Sequence, residues 1–200
     1  MKFEVPAGKI VLGLFLTTVL YVGLIVGFIF SSEMFNDFFD ETTQLEDAFY
    51  DDDFEKTKDL LMEGEDPSKI LFYGQTIIHK AIAKDKKNYY NEYMEYIEDP
   101  NIVNDSDESL LTYACMHASI DIIEDLVNRG ANINYSDDWG YTPLLNAIAS
   151  EREVEIIQFL LENGANPNFT QEDGLTALQL AEENGYDDIV EAIKSHMDQE

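Results

Sequence analysis

The chain has 200 residues, 45% of them hydrophobic, which is enough for one domain with its own core plus an appendage. Its 41 Asp and Glu residues outnumber 12 Lys and Arg, giving a formal net charge of −29 at pH 7. Such a charge repels nucleic acid and anionic lipid surfaces and attracts basic proteins. Cys115 is the sole cysteine, which excludes an intrachain disulfide and a cysteine-based zinc site, and we expect it to be buried and inert.

Residues 10–30 form one apolar stretch without a charged side chain. At about 1.5 Å per residue, a helix of this length spans roughly 31 Å, which matches the hydrocarbon core of a bilayer. The stretch therefore predicts a single transmembrane helix, preceded by a short N-terminus at residues 1–9. A cleaved secretory signal is the alternative, but its apolar region usually covers only about 7–15 residues and ends in small side chains.

The charges around this stretch predict its orientation. Lys2 and Lys9 precede it, and the next basic residue is Lys56. The positive-inside tendency places residues 1–9 in the cytoplasm and the rest of the chain outside it, in the periplasm if the protein is bacterial. Gly23 and Gly27 form a GxxxG pattern that would let two such helices self-associate, although glycine is also common in membrane helices without this role.

Residues 31–40 form an acidic and aromatic linker. Within it, Phe35, Phe38 and Phe39 have the spacing of one helical stripe. This stripe would either rest at the membrane interface or cover the edge of the segment that follows.

A repeat of 33 or 34 residues organises the remaining chain, residues 41–200, and five alanines mark it: Ala48, Ala81, Ala114, Ala147 and Ala181. The clearest copy begins a helix at Thr142-Pro143 and ends a second one before Gly164, where a left-handed residue is needed. One helix pair cannot bury its own apolar face, so the pairs must stack. The sequence thus predicts an all-α solenoid of about five helix–turn–helix units, at residues 41–73, 74–106, 107–139, 140–173 and 174–200.

This pattern resembles the ankyrin repeat, whose consensus opens with G-x-T-P-L-H-x-A and closes with L-L-x-x-G-A-x-x-N. The opening at Gly140-Tyr-Thr-Pro-Leu and the closing segment from Gln158 to Asn168 match closely, and the resemblance covers residues 41–200. The consensus histidine is present only as His79, and the second unit lacks the closing Gly-Ala. The resemblance implies that His79 is structural and forms a hydrogen bond across the turn.

Signatures of catalysis are absent from the sequence. It contains no Gly-rich phosphate loop, H-E-x-x-H, G-x-S-x-G or C-x-x-C motif, so we predict no enzyme, no cofactor and no metal site. A lysine cluster at residues 80–87, followed by tyrosines, could bind single-stranded nucleic acid. The net charge argues against that reading. We expect the lysines to offset nearby acids, and Tyr93 and Tyr96 to face neighbouring units.

The resemblance implies that a partner meets the turn before each unit and the exposed end of its first helix. On this chain we predict the following contact residues: Phe72, Tyr73, Asp105, Glu108, His117, Asp138, Trp139, Tyr141, Glu172 and Asp173. Aromatic side chains flanked by carboxylates are typical of an anchor for a basic protein. Trp139, the sole tryptophan, is the first candidate, and packing on the adjacent turn is the structural alternative.

Together these features predict a membrane-anchored, non-catalytic module that binds a basic protein through an acidic, aromatic concave face. Two alternatives stay open. One is an immunity or inhibitor protein that neutralises a basic toxin or enzyme, and the other is a scaffold that faces the cytoplasm.

Overall fold

The computed structural model describes residues 44–71 and 74–199, and in this part of the chain helices alternate with turns. The helices come in five pairs: α1 at 44–50 and α2 at Phe54–Glu63, α3 at Ile77–Ala83 and α4 at Lys87–Met94, α5 at Leu110–His117 and α6 at Ile120–Asn128, α7 at Pro143–Ala149 and α8 at Val154–Glu162, and α9 at Ala177–Asn184 and α10 at Asp187–Met197. The described residues contain no β-structure beyond three isolated bridges. The predicted all-α architecture of five helix–turn–helix units is therefore confirmed for these residues.

Hydroxyl side chains begin the first helix of each of the last four pairs: Thr76, Ser109, Thr142 and Thr176. In each case the side-chain oxygen accepts the backbone N–H three residues later, which satisfies one of the donors that a first turn leaves unpaired. Pro143 follows Thr142 at the first helical position, as the sequence predicts. Thr176 also forms a reciprocal capping box with Gln179.

Glycines in the left-handed conformation, Gly64, Gly130 and Gly164, end three of the second helices. Gly64 follows α2 with φ of 104°, and Gly164 lies just beyond α8 with φ of 94°. A residue with a Cβ pays a steric penalty in this region of φ, whereas glycine does not. The prediction that Gly164 needs a positive φ is confirmed.

Each helix pair packs against the next pair along the chain. The first helices pack in consecutive pairs from α3 to α9, and among the second helices α2 packs on α4 and α8 on α10. The five alanines that mark the repeat, Ala48, Ala81, Ala114, Ala147 and Ala181, are all 0% exposed. Cys115 is buried beside them, and burial raises the pKa of its thiol to about 12, so it is inert as expected.

Basic side chains tie one unit to the unit before it. The Lys86 ammonium donates to the carbonyl oxygen of Phe49 at the end of α1, at 3.3 Å. The Arg152 guanidinium reaches the end of α5, where it donates to the carbonyl oxygens of Cys115, at 2.9 Å, and Ala118. The last carbonyl groups of a helix have no partner within it. The Phe49 carbonyl also accepts the Asp52 N–H, whereas those of Cys115 and Ala118 accept only from Arg152 among the described residues.

The predicted transmembrane helix at residues 10–30, with Gly23 and Gly27, lies outside the described residues, as does the linker at residues 31–40. In the part of the chain that the structure does describe, no helix is long and apolar enough to cross a membrane. The ten helices of the described residues, apart from the first residue of α1, lie within one compact unit, Leu45–Glu200.

Candidate protein-interaction face

Four turns precede the last four helix pairs. Turn one comprises residues 71–75, of which 72 and 73 are not described, turn two 104–108, turn three 137–141 and turn four 171–175. Each closes on itself through two backbone hydrogen bonds, one from the N–H of the first residue to the carbonyl oxygen of the fifth, and one from the fourth residue back to the first. The second of these bonds joins Gly74 N–H to Leu71 (2.9 Å), Asp107 to Asn104 (3.0 Å), Gly140 to Asp137 (3.0 Å) and Gly174 to Gln171 (2.8 Å). The four turns thus share one local shape and recur once per unit.

The exposed acidic and aromatic side chains on turns two to four form a surface that we call the turn face: Asp105, Asp138, Trp139, Glu172 and Asp173. Backbone hydrogen bonds join the turns at both ends of this row. The Asp105 N–H donates to the Gly74 carbonyl and the Glu172 N–H donates to the Trp139 carbonyl, each at 2.8 Å. Residues that are far apart in sequence therefore reach one continuous surface.

Trp139 combines a fixed backbone with an exposed side chain. Its N–H donates to the Asp137 carboxylate at 3.0 Å, and its carbonyl oxygen accepts from Glu172 on the next turn. Even so, 61% of the residue is exposed to solvent. Trp139 is therefore not buried in the core, while its backbone is bonded to the adjacent turn. An exposed indole on a backbone that is already ordered is preorganised for contact with another molecule.

Turns two, three and four contain no basic residue. Neither Lys nor Arg occurs in residues 88–128, 130–151 or 153–193, which include turns two, three and four. The two arginines between these ranges are engaged elsewhere: Arg129 pairs with Asp125 at 2.7 Å, and Arg152 holds the end of α5. The carboxylates of the turns therefore create an unneutralised negative potential around Trp139.

The structure places the other predicted contact residues less uniformly. Glu108 is half-buried, and its carboxylate accepts the Asn104 side-chain amide at 2.7 Å. Tyr141 is also half-buried, and its N–H donates to the Asp137 carboxylate at 2.8 Å. His117 is exposed at the end of α5. Phe72 and Tyr73 lie outside the described residues.

A row of rings runs along the first helices of the second and third units. The His79 and Tyr113 rings lie 5.3 Å apart and the Tyr113 and His117 rings 4.7 Å apart, both edge-on. The Gln75 amide of turn one donates to the Tyr113 hydroxyl at 3.0 Å. Sequence reasoning missed Tyr113, although its spacing of four residues from His117 places both on one helix face.

His79 is structural, as the resemblance implies. Its Nε2 donates to the carbonyl oxygen of Glu108 at 3.3 Å, so Nδ1 is the acceptor for the Thr76 hydroxyl at 2.8 Å. Burial lowers the pKa of the imidazole to about 4, although the hydrogen bond to Glu108 acts in the opposite direction. A neutral imidazole therefore links its own turn to the next unit at physiological pH.

Acidic partners occupy much of the lysine cluster at residues 80–87, as expected: Lys80 pairs with Glu46 at 3.2 Å, Lys86 with Asp52 at 2.7 Å, and Lys87 with Asp121. Tyr93 is buried in the stack. The prediction for Tyr96 is wrong, because it is 42% exposed. Tyr96 follows the end of α4, where the chain leaves the helix before its side chain can reach a neighbouring unit.

Comparison with known proteins supports the architecture over most of the chain. The family model described as Ankyrin repeats (3 copies) matches residues 45–137, 87–171 and 130–200 in overlapping placements. No curated protein matches the chain. The matched segments together run from residue 45 to residue 200 and coincide with the stacked helix pairs. The chain therefore belongs to the ankyrin-repeat family.

Proposed function

We propose that the protein is a membrane-tethered, non-catalytic module that captures a basic protein through the turn face. Ankyrin repeats generally mediate protein–protein binding. The observation that carries the finer proposal is the exposed indole of Trp139 among carboxylates that have no basic residue on their own turns. Such a surface favours a partner of opposite charge over a neutral or acidic one.

The carboxylates of the turn face attract a partner from a distance, and the Trp139 side chain contacts it once it is bound. Exposed charges act over roughly 8 Å at physiological ionic strength, so the turn face would steer a basic partner before contact. An arginine that reaches the surface could stack on the indole and pair with a neighbouring carboxylate. Arginine suits both contacts because its guanidinium is planar and offers several donors.

The membrane tether rests on the sequence of residues 10–30, which is apolar over a length that matches a bilayer core. Lys2 and Lys9 on its N-terminal side favour a cytoplasmic N-terminus, with the repeats on the opposite side. A compartment-dependent reporter fused to the C-terminus tests this orientation. Activity of a cytoplasm-specific reporter would instead favour the scaffold with cytoplasmic repeats.

Binding can be tested with the full-length chain in detergent micelles and a fluorescently labelled arginine-rich peptide of about ten residues. We expect saturable binding that weakens steeply between about 50 and 200 mM salt. Trp139→Ala should weaken binding by about 2 kcal/mol, roughly thirtyfold, without loss of helix content. Tyr96→Ala is the matched control, because it removes an exposed aromatic ring that is not on the turn face.

Charge-matched variants separate the turn face from the general acidity of the chain. One variant combines Asp138→Asn, Glu172→Gln and Asp173→Asn. The other neutralises three exposed carboxylates on second helices, through Glu155→Gln, Glu162→Gln and Glu191→Gln. Both carry the same net charge, yet we expect only the first to lose most of the affinity. Equal losses would mean that the peptide responds to net charge alone and would refute the proposed face.

A further inference from the structure

Backbone hydrogen bonds join two of the three pairs of neighbouring turns. The bonds described above join turn one to turn two and turn three to turn four, and we call these two pairs the closed junctions. Between turns two and three, the Asp138 N–H occupies the place of the Asp105 and Glu172 donors, and the Asp107 and Ser106 carbonyls occupy the places of the Gly74 and Trp139 acceptors. All three residues are described, and among the described residues no hydrogen bond is formed by that N–H or by either carbonyl.

Close approach between turns requires glycine. Gly74, Gly140 and Gly174 occupy the same position in turns one, three and four, with φ of 76°, 81° and 81°. A Cβ added to Gly74 would lie 2.9 Å from the Cβ of Asp105, and one added to Gly140 would lie 2.8 Å from the Thr170 carbonyl oxygen. Both distances are shorter than an ordinary van der Waals contact between such atoms. At the two closed junctions, glycine is what allows the backbones to meet.

Turn two has Asp107 at this position, with φ of 60°. Aspartate tolerates the left-handed conformation, so the turn itself keeps its shape. By comparison with Gly74 and Gly140, a Cβ at this position would crowd the approach of the next turn. We infer that this atom keeps turns two and three from forming a backbone hydrogen bond of the kind that joins the other pairs.

Only the turns themselves, which we call the tips of the units, lack this backbone connection. At the base of the same turns, the Asn132 N–H donates to the Asn101 side chain at 2.8 Å, and the helices α5 and α7 pack directly on each other. Across the gap, the Tyr135 hydroxyl donates to the Asp107 carboxylate, which is a side-chain link only. The core is thus continuous while the tips lack a backbone connection.

We propose that Asp107 makes the junction of turns two and three a hinge in the turn face. Turn two remains bonded to turn one, and turn three to turn four, so the two pairs of tips move as separate halves. The distance between Asp105 on one half and Trp139 on the other is then adjustable, which lets the face widen or narrow around a bound molecule. The hinge follows from the turns alone, and its use around a bound molecule rests on the proposed function of the turn face.

Residue-resolved amide hydrogen exchange on the full-length chain in detergent micelles tests the hinge. In the wild type we expect the Asp138 amide to exchange roughly tenfold or more faster than the bonded amides of Asp105 and Glu172. Asp107→Gly removes the obstructing Cβ and should slow exchange at Asp138 roughly tenfold, leaving Glu172 unchanged.

Two controls isolate the cause. Asp107→Asn keeps the Cβ and removes the charge, and Tyr135→Phe removes only the side-chain link, so neither should protect the Asp138 amide. The converse variant Gly140→Ala adds a Cβ at the closed junction and should accelerate exchange at Glu172 by about the same factor. If Gly140→Ala fails to fold, the comparison of Asp107→Gly with Asp107→Asn decides the question. Unchanged exchange at Asp138 in Asp107→Gly, or equal protection in Asp107→Asn, would overturn the hinge.

Discussion

Replacing Arg152 with alanine should destabilise the repeat stack more than any other removal of a single charge from its surface. The guanidinium is held between two units, with only 14% of the side chain exposed. It donates to the carbonyl oxygens of Ala114 at 3.3 Å, Cys115 at 2.9 Å and Ala118. The Ala114 carbonyl also accepts from the Ala118 N–H, but the Cys115 and Ala118 carbonyls have no other hydrogen-bond partner within residues 44–71 and 74–199.

The expected magnitude follows from these two carbonyl groups. A buried acceptor left without a partner costs about 1–3 kcal/mol, and the two acceptors are neighbours that relax together. We therefore expect Arg152→Ala to lower the free energy of unfolding by about 3 kcal/mol. For a chain of this size, each kcal/mol lowers Tm by roughly 2–4 °C, so Tm should fall by about 6–12 °C.

Thermal and urea unfolding, followed by circular dichroism and by Trp139 emission, provide the assay. Repeat arrays can unfold in segments, so the two probes should be compared before a single free energy is derived. Glu153→Gln is the matched control. It breaks the exposed ion pair that Arg152 makes at 3.3 Å and should cost less than about 0.5 kcal/mol. An Arg152→Ala variant within 0.5 kcal/mol of the wild type would show that the helix end finds other partners and would refute this reasoning.

Two further predictions concern His79 and turn four. The folded protein holds His79 neutral, with a pKa of about 4 against an ordinary value of 6.5, so the folded state binds fewer protons than the unfolded state between these values. The contribution of His79 to the free energy of unfolding should thus be complete above pH 6.5 and fall by at most about 3 kcal/mol as the pH drops toward 4. Denaturant titrations at several pH values measure the free energy of unfolding. If the wild type and His79→Asn showed the same pH dependence, the prediction for His79 would be wrong. In turn four, Gln171 is only 6% exposed, and its side-chain oxygen has no hydrogen-bond partner in the described part of the chain. At the same position of turns two and three, Asn104 and Asp137 each accept two backbone N–H groups of their own turns. We expect Gln171→Asn to restore such contacts and raise the free energy of unfolding by about 1 kcal/mol, more than Gln171→Ala does in the same urea assay.

Much of the fold could be predicted because its signals are local. The hydroxyl cap at Thr142, the proline after it and the glycine at position 164 each act on residues within a few positions along the chain. The recurrence of Ala48, Ala81 and their equivalents then fixes the phase of the units. Burial of these alanines follows as soon as the helix pairs stack, because only a small side chain fits there.

The candidate site could be predicted only in part. Its residue types and positions follow from the repeat, which places Asp138, Trp139 and Glu172 on adjacent turns. Their environment does not follow, because exposure depends on which neighbouring unit reaches each side chain. Trp139 is exposed although packing was an open alternative, and Tyr96 is exposed although packing was expected.

Contacts between units were also beyond sequence reasoning. The guanidinium of Arg152 meets the end of a helix 34 to 38 residues earlier, and nothing near Arg152 in sequence indicates this target. The same holds for Tyr113 and Gln75, which lie 38 residues apart. Long polar side chains can reach several acceptors, and only the positions of the stacked backbones select one.

The sequence by itself determined that this protein is a stack of paired helices with a strongly acidic surface, because helix periodicity, caps and net charge depend on composition and short-range spacing. The tertiary structure decided which acidic and aromatic side chains share one exposed face, which cations are used to hold units together, and where the row of turns is interrupted. These properties depend on distances of a few ångströms between units, and a single Cβ at Asp107 in place of glycine is enough to change them.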